Sequence, residues 1–286
     1  MNALIIRKHR RGLHFFLSFL LLSFFHLIFS QSTVNAQCFK ENKAFKAGEK
    51  LSFLIYYNMA FIWVDAGKAI FEVKSSVYKN KPVYKFDSYG TSLPSHDWFF
   101  KVRERYISYL DTISLKPLRC ERKAIEGSYY VNEAYDFDFD NKKIYTYIEN
   151  SKVKPKKDTL SLSGCVFDVL SAIYYFRNID FSYVNENEKI PTQMVIDNKV
   201  HNLYVRYLGK EIIEDRNKQK YRCIKFSAML VSGTIFQGGE ELTVWVTDDK
   251  NKIPILIEAG ILVGSIKVYL SEVKGLRHEF SSKIQK

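Results

Sequence analysis

Histidine, cysteine and the short motifs that carry common chemistries are scarce in this chain of 286 residues. Beyond residue 36 only His96, His201 and His278 remain, far apart and without an H-E-x-x-H run, so no metal site is nominated. Cys38, Cys120, Cys165 and Cys223 form no C-x-x-C pair, which argues against a thioredoxin-like redox site and a zinc knuckle. A G-x-S-x-G elbow and a phosphate-cradling glycine loop are both missing. Asp136, Asp138 and Asp140 imitate the start of a calcium loop, but Phe137 and Phe139 interleave them and no turn glycine follows. They read as the solvated face of a strand. No period of about 20 to 50 residues recurs, which excludes a solenoid or propeller. These absences leave no catalytic residue and no cofactor to name, and the expectation is a protein that is not an enzyme.

Long apolar runs are equally rare. The one that stands out, Phe15 to Phe29, follows Arg7, Lys8, Arg10 and Arg11 and precedes the small-residue site Val34-Asn35-Ala36. That order reads as a secretory signal peptide over residues 1–36, with cleavage after Ala36 and residues 37–286 exported. A lipoprotein reading competes through Cys38, but a lipobox wants a small residue before the cysteine, and Gln37 stands there. The exported part keeps 39 Lys and Arg against 31 Asp and Glu, a net charge of +8. This balance points away from nucleic acid and toward anionic lipid or envelope glycan, or simply keeps β-strand faces soluble. The four cysteines enter a compartment that permits disulfides, and their pairing stays open.

What the exported part does contain is alternation. Leu51, Phe53, Ile55 and Tyr57 share one face of a first strand. A second strand, Ile62 to Val73, carries Gly67 at its middle, marking a bulge, a bend or a close backbone approach. Val83 to Thr91 makes a third strand, and Trp98, Phe100, Val102 and Tyr106 line one side of a fourth. Tyr129, Val131, Tyr135, Phe137 and Phe139 point inward on a hairpin. Two strand runs, 45–160 and 192–281, with short turns predict an antiparallel meander. Between them, 167–179 has the period of a helix, introduced by Ser161, Ser163 or Gly164. Its wheel is apolar over more than half the circumference, with Asp168, Ser171, Tyr175 and Asn178 on a narrow polar stripe. Arg177 projects from inside the apolar arc. Snorkelling past the helix end is the preferred reading; an acid supplied by a strand is the alternative.

Three motifs stand in order: Phe45-Lys46-Ala47-Gly48-Glu49-Lys50-Leu51, then Asp168 to Tyr174 with Arg177, then Trp245-Val246-Thr247-Asp248-Asp249 followed by Pro254. With them the chain resembles a family of exported Gram-negative envelope proteins known only as a domain of unknown function, family 3108. The resemblance covers nearly the whole exported part and brings no activity, cofactor or catalytic residue with it. It implies one mainly β domain, a large curved antiparallel sheet or open β-barrel with one helix packed on the concave side. In outline this is similar to periplasmic lipoprotein carriers, and the implied location is the periplasm or outer envelope.

Two stretches suit a ligand. Met229 to Glu240 interrupts apolar residues with glycines, so Leu230, Ile235 and Phe236 fit a lid over a hydrophobic guest, or else the core of a bulged hairpin. Pro94 to Phe100 brings Trp98 and Phe99 into a strand, where one of them faces solvent. With Tyr174 and Arg177 from the helix these are the candidate binding residues. The function expected is non-enzymatic binding of a hydrophobic or amphipathic, lipid-like molecule. The alternatives are a structural or protein-interaction domain with a packed core, and an envelope hydrolase.

Overall fold

The computed structural model describes residues 41–59, 62–231, 238–261 and 264–285, apart from the side chains of Met59, Phe99 and Glu241. Alternating apolar residues form fifteen strands. The first run is β1 (Lys50–Met59), β2 (Ile62–Tyr78), β3 (Lys81–Ser92), β4 (Val102–Asp111), β5 (Pro117–Glu126), β6 (Tyr129–Asp138), β7 (Lys143–Asn150) and β8 (Val153–Ser161). After β9 (Val166–Phe167) and the helix Val169–Phe176 come β10 (Lys189–Ile196), β11 (Lys199–Glu214), β12 (Lys220–Leu230), β13 (Gly239–Thr247), β14 (Pro254–Gly260) and β15 (Ser265–Lys274). All lie in one sheet, ordered β8-β7-β6-β5-β4-β3-β2-β1-β15-β14-β13-β12-β11-β10-β9. Every neighbouring pair is antiparallel except β9 with β10, so the expected meander holds.

Among the described residues no ladder joins β8 to β9, and the sheet is not a closed barrel. Its two ends nevertheless touch through side chains. Cys120, Tyr135, Phe137 and Ile144 of the first run share a core cluster with Val166 and Val195 of the second. The Asn198 amide donates to Tyr135 Oη at 3.0 Å.

Gly67 is both a bulge and a close approach. The β1–β2 register shifts at Ile55, which faces Gly67, while Tyr56 faces Asp65. A Cβ on Gly67 would stand 2.4 Å from the Thr91 carbonyl oxygen of β3. The shift also breaks the expected face: Leu51 and Phe53 are buried in one cluster, whereas Tyr56 turns to meet the Tyr269 ring.

The helix is shorter than its sequence period and starts at a different cap. Asp168 is the N-cap: Oδ1 accepts from the Leu170 and Ser171 amides, and Ser171 Oγ accepts from the Asp168 amide. Asp168 Oδ2 takes a further bond from Ser108 Oγ of β4 at 2.8 Å, which ties the helix start to the sheet. Burial pushes the Asp168 carboxyl upward, and these hydrogen bonds oppose the rise.

Asp168, Ser171 and Tyr175 of the polar stripe are buried as well and Asn178 is half-buried, because the helix packs on strands of both runs. Leu170 and Tyr174 pack with Val73, Phe86 and Leu110 of the first run. Phe167, Ala172, Tyr175 and Phe176 pack with Tyr207, Phe226 and Val244 of the second. The helix therefore joins the two halves of the core, and Ile173 is its one exposed residue.

Candidate functional site

The helix does not fill the space beside it. A cavity of about 270 Å³ lies between Val169, Leu170 and Ile173 of the helix and the facing sides of β1 to β4. It is carved by small residues on paired strands: Gly67 faces Ser92, Ala69 faces Gly90, and Phe71 faces Ser88. Cross-strand pairs normally fill the sheet surface with branched or aromatic side chains, and small pairs leave a hollow. Ile55, Val102 and Tyr106 complete an apolar wall. An apolar cavity of about 150 Å³ already accepts benzene, so this one has room for an apolar guest.

Glu104 brings the one carboxylate into the lining. Its Oε1 accepts from Arg122 Nη2 at 3.0 Å. The same nitrogen donates to Glu126 Oε1 at 2.9 Å, Asp197 lies 3.5 Å from Nη1, and the guanidinium sits over the Tyr106 ring at 5.5 Å. Arg122 Nε is buried with no partner. Glu133 stands opposite Arg122 across the β5–β6 ladder and is only 5% exposed. Burial, then the charge of Asp197, raises the Glu133 carboxyl above its ordinary range. One cation among four acids next to an apolar hollow is a polar end suited to orienting a ligand head group. Among the described residues no group of three or more His, Cys, Asp or Glu is placed to hold a metal ion.

The described residues among those nominated from sequence do not line this cavity. Trp98 sits in a short helix, Asp97–Phe100, that replaces the expected strand start, and it is 84% exposed. Pro94 opens the preceding helical turn, and Asp97 accepts from Ser92 Oγ and Arg103 Nη1, so the chain coils here instead of extending. The Phe99 side chain, Ile235 and Phe236 lie outside the described residues. Leu230 ends β12, half-buried and facing Gly239 after a register shift, and it does not line the cavity.

Tyr174 and Arg177 face the core. Tyr174 packs edge-on to Phe45 at 5.0 Å and tilted on Phe86 at 4.0 Å. Arg177 does not snorkel: its guanidinium is buried and meets Glu49 at 2.6 and 2.8 Å, with Nε donating to the Asn251 carbonyl at 3.0 Å. Reaching water would strip a buried carboxylate of its partner, which is why the ion pair prevails, its acid coming from the residue just before β1.

Sequence reasoning missed Glu104, Arg122 and Glu133. Glu133 falls in the inward register Tyr129-Val131-Glu133-Tyr135, and an acid in an apolar series was the available signal. The period-two small residues Gly67 and Ala69, then Ser88, Gly90 and Ser92, were the signal for the hollow.

No curated protein matches this sequence. Among solved structures the chain is similar to a β-barrel-like protein of a domain of unknown function, DUF1849, from Brucella abortus. The TM-score is 0.51 at 9% identity, over 81% of this chain and 99% of that one, which is a likeness of fold. A family model described as protein of unknown function (DUF3108) matches residues 52–271. That match spans most of the chain, which belongs to the DUF3108 family.

Proposed function

We propose that this protein is an exported, non-enzymatic β-domain of a Gram-negative envelope that binds an amphipathic, lipid-like molecule between the helix and the concave side of its sheet. The observation that carries this reading is the 270 Å³ cavity beside the helix, apolar on most sides and bordered by Glu104. The apolar body of the guest lies against Ile55, Ala69, Phe71 and Ile173. Its polar end lies toward Glu104 and Arg122. Burial of apolar ligand surface at roughly 25 cal/mol per Å² drives such binding, and the polar cluster fixes orientation.

The test is mass spectrometry of organic extracts from protein purified without detergent out of the envelope fraction. A lipid or other amphiphile at near-stoichiometric yield supports the reading. Extracts that match a mock purification would overturn it in favour of a packed structural domain.

A further inference from the structure

The strand ends divide the exposed side chains unequally. The β1–β2, β3–β4 and β5–β6 connections leave the sheet on the same edge, because each strand pair is antiparallel. That edge carries Ile62 and Trp63 at the start of β2, Trp98 and Phe100 between β3 and β4, and Tyr130 at the start of β6, all exposed. Toward the opposite edge the exposed apolar residues are Val77, Ile113 and Ile212 with Tyr145 near the start of β7, and no tryptophan or phenylalanine stands among them.

Trp98 is held out rather than left out. Asp97, beside it, accepts from Ser92 Oγ at 2.5 Å and pairs with both terminal nitrogens of Arg103, anchoring the short helix to the ends of β3 and β4. Ser92 and Val102, which flank this loop, also line the cavity, so the aromatic edge is the edge at which the cavity ends. The β7–β8 turn on the same edge adds exposed Lys152 and Lys154. Aromatic side chains with an apolar body, flanked by lysines, match the interface of an anionic bilayer in both polarity and charge.

We infer that this edge docks on an anionic phospholipid surface, with Trp98 entering the head-group region, so that the cavity faces the bilayer from which its guest comes. The last clause rests on the lipid-like reading of the cavity; the docking itself is tested apart from it. The probe is vesicles of phosphatidylethanolamine with phosphatidylglycerol, with lipids brominated along the acyl chain as tryptophan quenchers. Trp63 and Trp98 lie at the edge and Trp245 is buried in the core, so quenching reports on the edge.

The wild type should co-sediment with these vesicles and be quenched, less so as salt rises and with pure phosphatidylcholine. Trp98→Ser, at an exposed site, should keep its circular dichroism and lose about tenfold in partitioning. Gly90→Leu, which fills the cavity and spares the edge, should bind vesicles as the wild type does. Its loss of a soluble ligand in the same preparation separates the two readings. Wild-type protein that ignores every vesicle would overturn the docking proposal, as would Trp98→Ser partitioning unchanged. So would an envelope protein cross-linked through position 98 in cells when vesicles are ignored.

Discussion

Glu49 and Arg177, 128 residues apart in the chain, meet as a bidentate ion pair that is almost wholly buried. Around it the three sequence motifs of the chain converge. Phe45 and Glu49 come from the first, Tyr174 and Arg177 from the second, and Asn251 lies just past the third, with its carbonyl on Arg177 Nε. Asn251 also bonds the backbone of His278 and Glu279, and Asn178 accepts from the Lys43 and Ala44 amides. The helix end is thus a joint between the segment before β1, the β13–β14 turn and the C-terminal tail. The motifs mark a structural joint at the end of the helix, and none of its residues lines the cavity.

Breaking one side of that pair leaves an uncompensated buried charge. Glu49→Ala or Arg177→Ala should each cost about 3 to 5 kcal/mol in urea unfolding. The double variant Glu49→Leu with Arg177→Met should recover most of the loss. Additive losses in the double variant would show that the pair is not the coupling element.

Asp168→Ala removes the cap from the helix and the acceptor from Ser108, with an expected cost of about 2 to 4 kcal/mol. Asp168→Asn keeps an oxygen for the Leu170 and Ser171 amides and should cost far less in a thermal melt. Equal losses for the two would place the role of Asp168 in its charge.

Much of the fold was legible in the residues. Alternation located the strands, and the turn chemistry made them antiparallel, because each hairpin is a local event. The Glu49–Arg177 pair was not legible, since nothing local says which distant acid a buried arginine will meet. Asp168 stands on the polar stripe of the wheel, and its capping role needed the position of the first helical turn. Trp98 misled because the alternation around it continues into β4, while Pro94 and the Asp97–Arg103 clamp decide the local coil. The hollow was written in small residues, whose meaning depends on which strands pair.

Glu133 gives the protein a pH signature. Burial raises its carboxyl above the ordinary value of 4.5, so the protonated form suits the fold better than the charged one. Its stabilising contribution is complete below that value and is lost as pH rises through the folded-state value. Glu133→Gln should therefore raise the urea midpoint near neutral pH, with the gain over wild type shrinking as pH falls toward 4.5. A gain that does not change with pH would contradict this account.

Cys165 is disulfide-bonded, while Cys120 and Cys223 are buried free thiols. Peptide mapping without reductant should recover Cys165 in a linked fragment, and a thiol reagent should reach Cys120 and Cys223 only on unfolding. Labelling of either thiol in the folded protein would contradict their burial.

An apolar guest in the hollow beside the helix should be displaced when the hollow is filled. Gly90 is the place to test it: its backbone suits any L-residue, and a Cβ there meets nothing nearer than Glu104 Cβ at 3.9 Å. The measurement is fluorescence titration of delipidated wild type and Gly90→Leu with a fatty acid carrying an environment-sensitive fluorophore. Wild type should bind saturably, and the folded variant should bind at least tenfold more weakly, about 1.4 kcal/mol. Equal affinity in the two, or no saturable binding to wild type, would contradict it.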